Sequence, residues 1–426
     1  MRVLVLGAGG FIGARVAREA VRAGWQVRAG ARDVAGARRR NPGLDWVHAD
    51  FAELTNPETW APLLDGVDAV VNCVGVLQDA LGDSSRTAHV VGPSALVKAC
   101  EGLAVRRVIH LSAVGVDADT GAAYAADKRA GEALFGSSSL DWLIVRPSLV
   151  VAREAYGGTA LIRGLAGLPG MVAVVGGDQV FRPLAAGDLA RLMVNWLEPG
   201  GPSREVVEVA GPQSVTLAEL VTAYRAWLGF PAARLLRAPR WALWPVLKLG
   251  DLAGWLGWTS ALRTTSLRQL DYDVSGRAPA TQGVRSFADV LADEPAGVQD
   301  RWHARLYFVR PAALVVLGLY WLLTGLLTLG PAAAAATAIL ESAGFGRWSS
   351  ASAQAGAWLD VGLAVGLFIR RSSRAAAIGM LALAAGYLIV ATVRLGGLWF
   401  DPLGPWLKVL PMMALCLFVA ATDDRR

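Results

Sequence analysis

Tyr124 and Lys128 stand four residues apart in GAAYAADKRAGE, residues 121–132, and Ser112 precedes the tyrosine by twelve. On a helix, a spacing of four puts two side chains on one face. A phenol has a free pKa of about 10, so it serves as an acid or base only beside a cation that stabilises the phenolate. Lys128 carries such a charge and could also hold a nicotinamide ribose. Ser112, at the expected end of the strand in VRRVIHLSAVG, could bond and orient a substrate carbonyl. The chemistry open to this set is hydride transfer between a nicotinamide and a carbonyl or alcohol, with Tyr124 moving the proton.

Such a set needs elements that position it. RVLVLG, residues 2–7, is suited to a buried parallel strand; it meets Gly7, Gly9, Gly10 and Gly13, then a helical pattern, then a second strand in WQVRAGAR. Glycines there let the backbone turn tightly and approach a pyrophosphate at a helix N-terminus. The spacing is Gly7-x-x-Gly10-x-x-Gly13; Ile12 breaks the commoner G-x-G-x-x-G form. Past the second strand, an acid would read a ribose 2′-hydroxyl and an arginine a 2′-phosphate. Arg32 and Asp33 are adjacent, with Arg38, Arg39 and Arg40 following. Arg32 lies nearest the expected strand end, so NADP(H) is expected ahead of NAD(H). LDWVHADF reads as a third strand ending in Asp50, a contact for adenine or a turn cap. VDAVVNCVG is a fourth, with Asn72 and Gly75 at its end.

Taken in order, Gly7-x-x-Gly10-x-x-Gly13, Asn72-Cys-Val-Gly75, Ser112, Tyr124 with Lys128, and RPSLV at 146–150 resemble the short-chain dehydrogenase/reductase superfamily. The stretch RVIHLSAVGVDADTGAAYAADKRAGEALF, with LDWLIVRPSLV, is similar to its atypical subgroup that includes the nucleotide-binding accessory subunit of respiratory complex I. The resemblance covers about residues 1–300. It implies Ser112, Tyr124 and Lys128 as catalytic residues. It implies Gly7, Gly10, Phe11, Ile12, Gly13, Arg32, Asp50, Asn72, Gly75, Lys128 and Pro147 as cofactor contacts. Where the superfamily often adds an asparagine, this chain has His89, a departure that leaves a relay or a satisfied core or surface histidine open.

Downstream, Arg182 could meet an anionic substrate group or a surface ion pair, and Asp188 reads as a helix-start residue. Thr216 and Glu219 have capping-box spacing. RWALWPVLKLGDLAGWLGW, residues 240–258, fits a bilayer surface or a lid over the pocket.

The last hundred residues change character. Residues 311–330 lack charge, as do 375–393; 349–369 is apolar apart from Asp360, and 403–421 apart from Lys408. Each is long enough to span a bilayer. AAAAATAIL, residues 332–340, is expected in a loop. Arg301, Arg305 and Arg310 precede the first span, Arg370, Arg371 and Arg374 link the second and third, and Arg425 and Arg426 end the chain. The opposite loops carry Arg347, Arg394 and Lys408, so both termini and the nucleotide domain are expected on the cytoplasmic side of the cell's inner membrane. LWFDPLGPWLKVLP and WLDVGLAVGLF resemble the DoxX-like family. Asp360, an acid within a span, is a functional candidate or a structural partner of a neighbouring helix.

The expected fold is α/β, a Rossmann-type doubly wound parallel sheet over residues 1–300, followed by an all-α four-helix transmembrane domain over 301–426. Hydrophobic residues make up 54% of the 426 and charged ones 18%, which fits a soluble domain joined to an apolar one. Three dispersed cysteines and four dispersed histidines give no disulfide or metal pattern. The net charge of +6 comes without a basic and aromatic stripe, so no nucleic acid is expected. The expected partners are the bilayer and a small lipophilic substrate, such as a quinone- or prenyl-related compound, with a membrane protein or a second copy also open. The rival readings are a nucleotide-holding subunit or sensor without turnover, and a nucleotide-gated transporter resting on Asp360.

Overall fold

The structure, a computed structural model, describes residues 1–76, 84–103, 105–117, 123–175, 177–258, 261–264, 281–402 and 404–423. Gly121, ahead of the catalytic candidates, and the terminal Arg425 and Arg426 lie outside the described residues. The chain forms two compact units, Met1–Asp251 with Ala261–Ala304, and Leu252–Ser260 with Arg305–Arg426.

In the first unit, short β-branched runs make a parallel sheet of seven strands. These are β1 (Arg2–Leu6), β2 (Gln26–Ala31), β3 (Asp45–His48), β4 (Ala69–Asn72), β5 (Arg107–Leu111), β6 (Asp141–Pro147) and β7 (Glu205–Val209). Their spatial order is β7-β6-β5-β4-β1-β2-β3. The order reverses between β1 and β4, the crevice where ligands of open α/β sheets bind.

Alternation along the strands sends residues to opposite faces. Val3, Val5, Val71, Ile109, Leu143 and Val145 share one core with Leu189 and Met193. Leu4, Leu6, Val70, Val108 and Ile144 share another with Leu96, Trp60 and Phe135. Helices therefore cover both faces, among them α1 (Gly13–Arg22), α2 (Val34–Arg40), α3 (Gly92–Gly102) and α4 (Ala123–Gly136).

Beyond β6, a third core gathers Phe181, Leu220, Val221, Tyr224 and Phe287. Thr216 and Glu219 form the expected capping box, with the Glu219 amide donating to Thr216 Oγ1 at 3.2 Å and the Thr216 amide donating to Glu219 Oε2 at 2.7 Å. Asp188 lies in the first turn of its helix, Ala186–Asn195, although the N-cap itself is Ala185. It is buried and accepts the Arg285 amide at 2.9 Å, with Arg191 and Arg285 beside it. Arg182 donates to Ser214 Oγ at 3.1 Å.

The second unit is helical: α5 (Val298–Leu329, which begins in the first unit), α6 (Ala333–Ser342), α7 (Ser349–Phe368), α8 (Ser373–Arg394) and α9 (Val409–Ala421). Among the described residues, α5, α8 and the stretch Gly346–Phe368 containing α7 are long and apolar enough to cross a membrane. The segment expected as a loop forms α6, because its alanine run has high helix propensity. The fourth expected span is helical only over the 13 residues of α9. That reaches about 20 Å, short of a hydrocarbon core of about 30 Å. Pro402, Gly404 and Pro405 keep the preceding segment from continuing it. A core of Leu314, Leu317, Trp321, Ala364, Ala377, Met380 and Cys416 holds the helices together.

Candidate functional site

Because the sheet is parallel, β1, β2, β4, β5 and β6 all end on one edge. At the end of β1, Gly7 turns the chain with φ +72°, a region that side chains rarely adopt. The Gly10 amide donates to the Gly7 carbonyl at 2.9 Å, and α1 then starts at Gly13. A Cβ on Gly13 would lie 2.3 Å from the Gly7 oxygen, so the helix approaches the turn closely only as glycine. Ile12 caps α1 and packs on the sheet core. Phe11 stacks on Tyr156, centroids 5.1 Å apart, with the Arg15 guanidinium 4.8 Å from its ring. Arg15 also pairs with Glu154. Nothing in the order of residues signals this stack or this ion pair, because loop and helix are far apart in the chain.

At the end of β2, Asp33 is committed: its carboxylate caps α2 by accepting the Gly36 amide at 2.8 Å. The neighbouring Arg32 is exposed. At the far end of α2 the Arg40 guanidinium reaches back, 3.8 Å from where a Cβ on Gly9 would stand. Arg40 thus lies near the glycine turn, and the Asp33 carboxylate is engaged by the cap. Asp50 accepts the Ala52 amide at 3.0 Å and forms a local turn.

The Asn72 side chain is buried and engaged within the protein. Its Oδ1 accepts the Val74 amide at 3.1 Å, and its Nδ2 meets His110 Nδ1 at 3.1 Å. It shapes the loop that carries Gly75 to the sheet edge. Cys73 follows it; burial raises its thiol to about 12, partly offset by Lys128.

His89 sits in a π-helical turn, Thr87–Val91, leading into α3. It is fully buried, and Nε2 meets the Val76 amide and carbonyl at 3.3 and 3.0 Å. Its Nδ1 is buried without a hydrogen-bond partner among the described residues. Burial and the Lys128 charge bring the imidazole down to about 4, so it is neutral. Its ring stands edge-on to Tyr124.

Lys128 links Tyr124 to the end of β5, reaching Leu111, the residue before Ser112. The Ser112 amide donates to the Val145 carbonyl at 2.7 Å, while its buried Oγ has no protein partner among the described residues. Buried polar atoms are rarely left so, and Ser112 directly follows the C-terminal end of β5. Lys128 is buried; Nζ donates to the Leu111 carbonyl at 3.2 Å and lies 5.7 Å from the centre of the Tyr124 ring. Burial lowers the ammonium to about 8, against opposing pulls from Glu132 and Cys73. Burial also pushes the Tyr124 phenol above its ordinary value. Pro147 ends β6, and its carbonyl accepts the Val114 amide at 3.1 Å, fastening the loop after Ser112. One turn along α4, Glu132 pairs with Arg146, which also holds Asp117. This network locks α4 against β6; Arg146 was visible only as part of the RPSLV stretch.

The open glycine cradle and the orphan serine oxygen fit a dinucleotide with a substrate oxygen beside it. Comparison with known families agrees: residues 7–171 match an NAD(P)H-binding family, and residues 318–417 match the DoxX-like family. No curated protein matches the sequence. Solved structures similar to part of this chain include a UDP-glucose 4-epimerase of Thermus thermophilus in complex with NAD. It is 22% identical, covers 65% of this chain and 100% of that one, and has a TM-score of 0.45. A dTDP-glucose 4,6-dehydratase of Streptomyces venezuelae with NAD bound is 21% identical, covering 56% and 84% with a TM-score of 0.47. The chain joins an NAD(P)H-binding Rossmann domain to a DoxX-like helical domain.

Proposed function

We propose that the first unit is an oxidoreductase that uses NADP(H) ahead of NAD(H) and acts on the carbonyl or alcohol of a lipophilic substrate. The observation that carries this reading is the buried Lys128 against the Tyr124 ring, its ammonium on the Leu111 carbonyl one residue before Ser112, whose oxygen is unpartnered among the described residues. The glycine turn would take the pyrophosphate on the N-terminus of α1. Arg32 and Arg40 would take a 2′-phosphate, Asp33 being held as a cap. When bound, the nicotinamide supplies or accepts the hydride. Ser112 Oγ orients the substrate oxygen, and Tyr124 gives or takes its proton. Lys128 lowers the cost of the phenolate and reaches the ribose. The apolar helices and the DoxX-like domain support action at a membrane, with substrate drawn from the bilayer. Arg310 and Arg370 share Asp423, which supports the arginine-rich ends of those helices lying together on the cytoplasmic side of the inner membrane.

Tyr124→Phe tests the mechanism. The variant keeps the ring and loses the hydroxyl, so NADPH binding followed by fluorescence should persist. NADPH consumption with a membrane lipid extract should fall about a hundred- to ten-thousand-fold. Equal consumption by variant and wild type would remove Tyr124 from the chemistry. A nucleotide-holding role without turnover draws support from His89 standing where the superfamily often has asparagine, and from the raised phenol. Tight NADPH binding with no turnover on any lipid pool would favour it.

A further inference from the structure

The buried stripe of α7 runs Ala353, Ala357, Ala364 and Leu367, and Asp360 falls in the same stripe. On α8 the stripe runs Ala376, Met380, Ala384 and Ala391, and Tyr387 falls within it. Both polar residues therefore sit on the inward faces of antiparallel helices. Asp360 lies about 12 Å from the end of α7 and Tyr387 about 21 Å from the start of α8. Side chains lean toward their own helix N-termini, so the two reach toward one level. There the Tyr387 hydroxyl donates to Asp360 Oδ1 at 3.4 Å.

Packing around the pair uses residues without side chains. A Cβ on Gly356 would stand 2.7 Å from the Tyr387 oxygen, and one on Gly325 of α5 would stand 3.2 Å from Asp360 Cβ. Yet the pair is not closed over. Tyr387 is 42% exposed and Asp360 is half-buried, although their stripe neighbours are buried. The helix α9 is only 13 residues long.

We propose that Asp360 and Tyr387 form a polar notch inside the helical unit that takes the hydroxyl of a long-chain alcohol or phenol from the bilayer. The carboxylate keeps a second oxygen to accept the ligand's O–H, and the tyrosine oxygen can accept as well. The surrounding alanines and leucines suit an apolar body. A hydrogen-bonding site within a span is open to ligands that already reside in the membrane. The inference stands on this unit alone and does not depend on hydride transfer in the other.

The test is photolabelling of the full chain in phosphatidylcholine vesicles with a twelve-carbon alcohol bearing a diazirine. The same chain ending in a methyl ether is the control, and labelled peptides are mapped by mass. The alcohol should label segments around 356–361 and 384–390, and the ether should not. Asp360→Leu and Tyr387→Phe should each cut that labelling about three- to tenfold. Tyr387→Phe removes a single oxygen, so it tests the site even if the leucine variant misfolds. Absent labelling, equal labelling by alcohol and ether, or unchanged labelling in Tyr387→Phe would overturn the proposal and leave the pair as a bond between helices.

Discussion

The imidazole of His89 stands edge-on to the phenol of Tyr124, ring centroids 5.5 Å apart and planes at 81°. The same imidazole holds the loop at Val76, so one residue positions both the tyrosine and the edge of the cofactor crevice. Its pKa falls from 6.5 to about 4 on folding. Between these values the unfolded chain binds the proton and the folded chain does not, so stability rises with pH through this window and is lost as pH falls through it. The share from His89 is about 3 kcal/mol. His110, also lowered by burial, adds a loss of the same sign. Melting curves of His89→Asn between pH 4 and 7 should be flatter than those of the wild type; parallel curves would contradict the assignment.

Gly13→Ala places a methyl against backbone on the far side of the turn. Overpacking of this kind costs about 1–3 kcal/mol. NADPH affinity should drop about tenfold or more, measured by fluorescence titration on protein that still melts cooperatively. Unchanged affinity would move the pyrophosphate away from this turn.

Lys128 is lowered to about 8, so its ammonium is lost as pH rises through that value. If the charge supports the phenolate, kcat/KM should decline above about pH 8. Lys128→Met should lose turnover and weaken NADPH together, because one ammonium serves both roles. A flat profile from pH 7 to 9 on a confirmed substrate would argue against that dependence.

Arg40 approaches the glycine turn and Arg32 directly follows β2, while Asp33 is tied into the α2 cap. A charge-assisted bond to phosphate contributes about 1.5–3 kcal/mol, so each arginine-to-alanine change should weaken NADPH about ten- to a hundredfold. NADH binding should barely change. Equal losses for both nucleotides would assign the arginines to the shared pyrophosphate.

Asp423 is buried and joins Arg310 at 2.8 Å and Arg370 at 2.5 Å, while Trp258 lies against both guanidinium groups. The Trp258 indole donates to the Phe368 carbonyl at 2.6 Å. Asp423→Leu leaves two partly buried cations facing each other, and removing one partner of a buried pair costs roughly 3 kcal/mol. The full chain in detergent should melt several degrees lower. A melting temperature within error of the wild type would show the clamp to be dispensable.

Local order alone was enough for the βαβ opening, because Arg2–Leu6, the glycines and the amphipathic α1 carry their propensities in consecutive residues. The same holds for the long apolar helices, whose length and lack of charge are local properties. Tyr124 and Lys128 could be paired because helix geometry fixes a spacing of four. What the chain order could not decide was anything that depends on distant segments meeting. Asp33 looked free to read a ribose until the turn gave its carboxylate an amide. Asn72 stands at the right strand end, but the fold brings His110 to its amide and turns it inward. Asp188 does lie in the first turn of its helix, but its partner there, Arg285, stands nearly a hundred residues on. Arg40, His89 and the Asp360–Tyr387 pair acquired their surroundings the same way. Hydrogen bonds and desolvation act over a few ångströms, and only the folded backbone sets which groups come that close.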